Sequence, residues 1–238
     1  MTPDTALLMI ATVARLLEGL RHVAVGASSP IPAAGALLAQ QLSAGRMRVS
    51  ILGSEKHTSF TDGGRELFDC AAQGRIDAFF FSGVQIDAEA NINLLGLGPK
   101  CVGDIDAGPT MRRRFVGNFG APYLASLVPE LILFRTDHNP KTLVERVDFV
   151  TAPGRDGRWL LTDRCLMRRE NGRFRLVSMH PGQTARELVE ATGFALDMPD
   201  RPETTPPVGA SELELVKDTV AREISTIYPR FASEFLQD

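Results

Sequence analysis

Apolar residues recur at helical spacing from Asp4 to Leu20, with Leu7, Ile10, Ala11, Ala14 and Leu17 on one stripe, and the pattern stops at Gly19 to Arg21. This spacing predicts an amphipathic first helix. His22 to Gly26 is a short apolar run that predicts a strand, followed by the loop Ala-Ser-Ser-Pro-Ile-Pro. Pro32 then suits the first turn of a helix carrying Ala36, Leu37 and Leu42. The cycle repeats: a strand at Met47 to Leu52, a polar loop from Gly53 to Gly63, a helix from Arg65 to Gln73 and a strand at Ile76 to Phe81. The run Ile76-Asp-Ala-Phe-Phe-Phe81 is almost continuously apolar, as a strand covered on both faces of a parallel sheet is.

Alternating strands and helices of this length predict an α/β fold with an open, mainly parallel sheet and flanking helices. Further strands are expected at Ile92 to Leu97, Glu130 to Arg135, Arg146 to Thr151, Leu160 to Thr162, Cys165 to Arg168 and Phe174 to Ser178. The later ones are closely spaced, which predicts a small antiparallel extension. Gln183 to Thr192 reads as a helix with Ala185, Leu188 and Val189 inward. A proline-rich linker over 199–207 precedes a last helix over 211–227. With no internal repeat and no earlier break, residues 1–238 are expected to form one domain.

Composition narrows the function classes. The chain has 238 residues, 44% of them hydrophobic, and a net charge of −3, values that exclude a disordered chain. A pI near 5.9 argues against a nucleic-acid partner, which calls for a basic excess. The 22 arginines against 4 lysines read as nucleotide-composition bias, with anion binding as the competing reading. Cys70, Cys101 and Cys165 are odd in number and widely spaced, so neither a disulfide framework nor a metal site is expected. With no apolar stretch of membrane-spanning length and no leader pattern, the expected setting is the cytoplasm, away from membranes.

Three loops are candidate ligand sites. Gly26-Ala-Ser-Ser-Pro30 leaves a strand and enters a helix, so Gly26 and Ser28 could receive an anionic group; a plain connection whose serines cap the helix is the competing reading. Gly83-Val-Gln-Ile-Asp87 with Asn91-Ile-Asn93 follows the most apolar strand. It reads either as a ligand edge containing Gly83 and Gln85 or as a turn whose Asp87, Asn91 and Asn93 satisfy their own backbone. Phe115-Val-Gly-Asn-Phe-Gly-Ala-Pro122 follows Arg112, Arg113 and Arg114, which read as a solvated run, with phosphate contact as the competing reading; Gly117 and Gly120 in this loop allow the backbone amides to approach an oxyanion. His22, His57, His138 and His180 have no metal-type spacing, and His180-Pro-Gly182 reads as a turn before a helix.

Taken in order, Val25-Gly26, Gly83 to Asn93, Phe115 to Ala121, Val147 to Gly154, His180-Pro-Gly182 and Thr192-Gly-Phe-Ala-Leu-Asp197 resemble the B subunit of family I CoA-transferases of the glutaconate CoA-transferase type. The resemblance covers about residues 10 to 225. It implies the family I α/β fold, pairing with a separate A subunit, and an active site at their shared interface. It also implies an acyl-CoA substrate, expected here to bear a carboxylate on its acyl group, and no cofactor beyond coenzyme A itself. In such enzymes a B-subunit glutamate attacks the thioester, giving an acyl-glutamyl anhydride and then a glutamyl-CoA thioester.

The sequence departs from that pattern at the nucleophile. The segment reads Val49-Ser-Ile-Leu-Gly-Ser-Glu55, which puts Ile51 at the glutamate position, with Gly53 and Ser54 lining the turn. Glu55 is the one nearby carboxylate that could act as nucleophile. Gly117-Asn-Phe-Gly120 replaces a Gly-x-Gly-Gly run, so that Asn118, Gly120 and Ala121 are expected around the thioester; Ala90 stands where glycine is usual. Similar B subunits without the glutamate occur in ring-opening hydrolases and in a decarboxylase, with the catalytic carboxylate of the hydrolases on the A subunit. Three functions therefore stay open: CoA transfer, hydrolysis or decarboxylation on the same fold, and a silent structural role.

Overall fold

A computed structural model describes residues 1–98 and 113–236. Cys101 and Arg112 lie outside the described residues. Two compact units form, one from Met1–Phe80, Leu127–Ile132 and Thr205–Asp238, the other from Phe81–Ser126 and Leu133–Thr204. The last boundary falls inside the proline-rich stretch 199–207.

The first unit carries the alternation read from the pattern: α1 (Pro3–Leu16), β1 (His22–Val25), α2 (Pro30–Leu42), β2 (Arg48–Ile51), α3 (Gly63–Ala72) and β3 (Ala78–Phe81). β1 pairs in parallel with both β2 and β3, and all four of its residues are buried. Thr2 caps α1 by accepting the Thr5 amide, and Pro3 occupies its first turn. Pro30 and Pro32 do the same for α2, which buries every residue from Ile31 to Ala39.

α1 packs against α2 through small residues, and Gly35 is the closest approach. A Cβ there would meet Val13 Cγ1 at 2.4 Å, Val13 Cβ at 2.5 Å and the Ile10 carbonyl at 3.0 Å. Gly35→Ala is therefore expected to destabilise by about 2 kcal/mol, overpacking outweighing the gain in helix propensity. A lower denaturation midpoint at unchanged slope is the measurement that checks it, and an unchanged midpoint refutes it.

The C-terminal helix expected over 211–227 is present as Ala210–Leu215, a π-helical turn Val216–Val220 and Ala221–Ile227, followed by a short helix Pro229–Phe235. Arg15 ties the preceding chain to α1: it donates to Glu212 and to the carbonyls of Pro206 and Pro207. Among the described residues no helix is long and apolar enough to cross a membrane.

The second unit holds the antiparallel strands Trp159–Leu161, Cys165–Glu170 and Arg173–Met179. It also contains a three-stranded sheet in which Gln85–Asp87 lies between Ile92–Asn93 and Leu143–Val144. The α/β class with a parallel sheet and antiparallel strands is as expected. One expected strand is not: residues 146–151 form a loop. Their amides go to side chains and single carbonyls, Val147 to Asp87, Asp148 to Gln85 and Thr151 to the Ile92 carbonyl, leaving no ladder. A helix at Ala121–Leu127 is an element the hydrophobic pattern does not predict.

Candidate functional site

In the first unit, β1 and β2 end side by side, with Val25 opposite Ile51 and the Leu52 amide donating to the Val25 carbonyl at 2.9 Å. The loops that follow these strands carry Gly26, Ser28, Gly53, Ser54 and Glu55, so the five are gathered at one sheet edge, where parallel α/β sheets bind ligands. Ser28 sits in the left-handed region at φ 59°. Ser29 precedes α2, yet its side chain makes no capping bond; its Oγ donates to the Ala27 carbonyl at 3.4 Å. The Ser29 amide instead donates to the Tyr228 hydroxyl at 3.4 Å, and burial pushes that phenol above its usual range.

The turn after β2 is closed on itself. The Ser54 amide donates to the Ile51 carbonyl at 3.1 Å, the His57 amide to Ser54 Oγ at 3.0 Å, and the Ile51 amide to the His57 carbonyl at 2.8 Å. Gly53 supplies the positive φ of 85° that the reversal needs. Ile51 is 0% exposed, with its side chain in the core, while Glu55 is exposed. Beyond the turn, Lys56 Nζ lies 2.5 and 2.6 Å from the two Glu223 oxygens, and His57 Nε2 lies 2.9 Å from Glu223 Oε2. The Lys56 hydrogen bond, with help from His57, holds the Glu223 carboxyl below the usual range.

Gly83, Gln85, Gly117, Asn118, Gly120 and Ala121 belong to the second unit. Gln85 is buried, and its Oε1 accepts from Asn93 Nδ2 at 2.8 Å and from the Asp148 amide at 2.9 Å. Asp87 accepts the amides of Glu89, Asn91 and Val147 and the Asn91 side chain. These are hydrogen bonds of the backbone-satisfying kind. Gly83 admits no side chain, since a Cβ would meet Ile92 Cγ2 at 2.6 Å and the Gln85 carbonyl at 2.8 Å.

The loop before Ala121–Leu127 is open to solvent. Gly117, Phe119 and Gly120 all have positive φ, and Phe119 is 68% exposed. The Asn118 carbonyl accepts the Ala121 amide at 2.8 Å, while the Asn118 side chain is exposed. Arg113 lies over the Phe115 ring at 5.2 Å and Arg114 is exposed. Among the described residues no three His, Cys, Asp or Glu side chains could hold a metal ion. Cys70 and Cys165 are buried and free, and burial pushes the Cys165 thiol up to about 12.

The family model that matches is that of coenzyme A transferase, over residues 7–191. The chain belongs to the coenzyme A transferase family. A curated family relative, the B subunit of 3-oxoadipate CoA-transferase from Pseudomonas knackmussii, is 30% identical over 167 residues, 63% of this chain and 60% of the relative. The match thus spans less than two thirds of that relative's length. Among solved structures, the decarboxylase AibA/AibB has a TM-score of 0.78 at 22% identity, covering 98% of both chains. Glutaconate coenzyme A-transferase from Acidaminococcus fermentans gives 0.77 at 18%, covering 98% of this chain and 97% of that one. IpdAB from Rhodococcus jostii RHA1 gives 0.76 at 21%, covering 90% and 93%. At these identities the structural likenesses establish the family's fold.

His57, Glu223 and Tyr228 are residues at this edge that the sequence does not single out. Their partners are 166 to 199 residues apart in the chain, and no local spacing signals such a pairing.

Proposed function

We propose that this chain is the B-type half of a two-subunit enzyme acting on an acyl-CoA thioester, with a carboxylate-bearing acyl group as substrate and an A-type chain as partner. Coenzyme A enters as substrate, and no other cofactor is required. The family match over residues 7–191 carries this reading, together with the paired loops at the ends of β1 and β2. The roles proposed are substrate docking by Gly26 and Ser28, a turn formed by Gly53 and Ser54, and further substrate contacts at Gly83 and Gln85. Gly117, Asn118, Gly120 and Ala121 act around the thioester carbonyl.

The first reaction proposed is CoA transfer with Glu55 as nucleophile. Its carboxylate attacks the thioester carbon and the C–S bond breaks. CoA thiolate then attacks the glutamyl carbonyl of the resulting anhydride, expelling the acyl group as a free carboxylate and leaving the glutamyl thioester. An acceptor carboxylate takes up CoA from this thioester by the reverse steps and frees Glu55. Incubating the co-expressed pair with acyl-CoA and then hydroxylamine or borohydride is expected to label Glu55. Glu55→Gln is expected to lose the label and roughly 10³-fold or more of transfer. Full transfer by that variant overturns Glu55.

A second reading is favoured by one observation, the burial of apolar Ile51 at the family's nucleophile position. In it the same half-site supports hydrolysis or decarboxylation, with the catalytic carboxylate on the A-type partner, and no label appears on this chain. The third, a silent structural role, fails if turnover by the pair disappears on substitution of the loop from Gly117 to Ala121.

A further inference from the structure

We infer that His57 is an acid–base residue that activates water against the acyl-CoA thioester, with Glu223 orienting its ring. The inference rests on the hydrolytic reading above and departs from it at one point, placing the base on this chain where that reading has a carboxylate on the A subunit.

The four histidines differ in what their ring nitrogens do. His22 spends both on structure, Nδ1 at 2.9 Å from the Arg75 carbonyl and Nε2 at 2.8 Å from Ser50 Oγ. His138 bonds Thr162 and Thr192, and His180 bonds the Thr162 carbonyl from a buried position. His57 pairs instead with a carboxylate, and its Nδ1 has no partner among the described residues. Its side chain is 13% exposed, sheltered but reachable.

The pairing decides which nitrogen can act. The Glu223 carboxylate only accepts, and Lys56 bonds both of its oxygens, so His57 Nε2 carries the proton and donates. The lone pair is left on Nδ1, where a base needs it. A carboxylate holding an imidazole in one tautomer and orientation is the arrangement by which hydrolases activate a nucleophile.

Position supports the same role. The His57 carbonyl accepts the Ile51 amide, so the residue belongs to the turn where the family glutamate would stand. Glu223, in the helix Ala221–Ile227, and Tyr228, at its C-terminal cap, reach the loops after β2 and β1 respectively. The π-helical turn just before this segment keeps Val216, Val220 and Ile224 all at 0% exposure. In an uninterrupted α-helix a spacing of four drifts by about 40° at each step, and the wider π turn offsets that drift, leaving Glu223 beside the anchored Ile224.

In the step proposed, His57 Nδ1 removes a proton from water as the oxygen attacks the thioester carbon. The tetrahedral intermediate collapses with cleavage of the C–S bond, and the imidazolium returns the proton to the departing CoA thiolate. Water, acyl-CoA and enzyme give a carboxylic acid, CoA thiol and unchanged enzyme.

The test measures thiol release from acetyl-CoA and succinyl-CoA by the co-purified two-chain complex, with no acceptor acid present. His57→Ala and His57→Gln are expected to lower kcat by about 10²–10⁴-fold. KM and melting temperature should stay unchanged, and added imidazole should restore part of the alanine variant's rate. Glu223→Gln should lose roughly 10-fold or more in kcat at unchanged KM, without rescue by imidazole. Retention of the rate by both His57 variants within about threefold overturns the proposal. Thiol release that requires an acceptor acid and labels Glu55 also overturns it, while leaving CoA transfer standing; a complex inert towards every acyl-CoA sinks both readings.

Discussion

Acidification from pH 6.5 to pH 4 is expected to cost the second unit several kcal/mol of stability through two buried histidines. His138 and His180 are both lowered from 6.5 to about 4, in each case chiefly because burial penalises the charged ring. Arg164 and His180 add to the effect on His138. In this interval the unfolded chain binds protons that the folded chain refuses. The stabilisation is complete above about 6.5 and is lost as pH falls towards about 4.

At His138 the hydrogen bonds act in the same direction as burial, whereas at His180 the bond to the Thr162 carbonyl opposes it. The Thr192 hydroxyl donates to the Leu188 carbonyl at 2.7 Å, so it accepts from His138 Nε2. His138 Nδ1 is left to accept from Thr162 Oγ1, which already accepts the amides of Arg164 and Cys165. A proton on Nδ1 would make a third donor compete for that oxygen. Asp163 works in the opposite direction: burial raises its carboxyl, so it gains protons in the folded state and offsets part of the loss. Urea denaturation at pH 7.5 and pH 4.5 measures the difference. The double variant His138→Gln, His180→Gln should be less stable at the higher pH and much less sensitive to acid; an unaltered pH slope rules the histidines out.

The same residues show why part of the molecule is legible in the sequence and part is not. β1, β2 and β3 are short parallel strands buried on both faces, so they read directly as apolar runs between helical stripes. The segment 146–151 has a strand's composition too, but its amides are captured by Asp87 and Gln85, some sixty residues away. Nothing in a local window distinguishes the two cases. The helix Ala121–Leu127 has Pro122 as its second residue and only seven residues in all, too few for a periodic stripe. At the site, the turn after β2 is visible from Gly53 and Ser54, and the buried Ile51 from its alignment with the family pattern. The contacts of Glu223 and Tyr228 depend on how the C-terminal helix packs, which the sequence encodes only through its apolar face.

Asp87→Ala should be among the most damaging single substitutions, at roughly 3–5 kcal/mol. The residue is 1% exposed, and its carboxylate accepts four N–H groups: Glu89 N at 3.0 Å, Asn91 N at 3.0 Å, Val147 N at 3.1 Å and Asn91 Nδ2 at 3.2 Å. Alanine removes every acceptor at once, and buried amides left without partners cost about 1–3 kcal/mol each, reduced where the loop can relax towards water. Asp87→Asn separates the contributions. Its oxygen can still serve the Glu89 and Asn91 amides, while its NH₂ group faces the Val147 amide donor to donor. An intermediate loss is therefore expected, with hydrogen exchange accelerated at Val147 more than at Glu89. The loop from Val147 to Gly154 should respond as a body, because Gly154 N donates to Asn91 Oδ1 at 2.9 Å and a Cβ at Gly154 would meet the Glu89 carbonyl at 1.9 Å. If Asp87→Ala unfolds at the wild-type urea midpoint, the carboxylate is not what holds these two segments together.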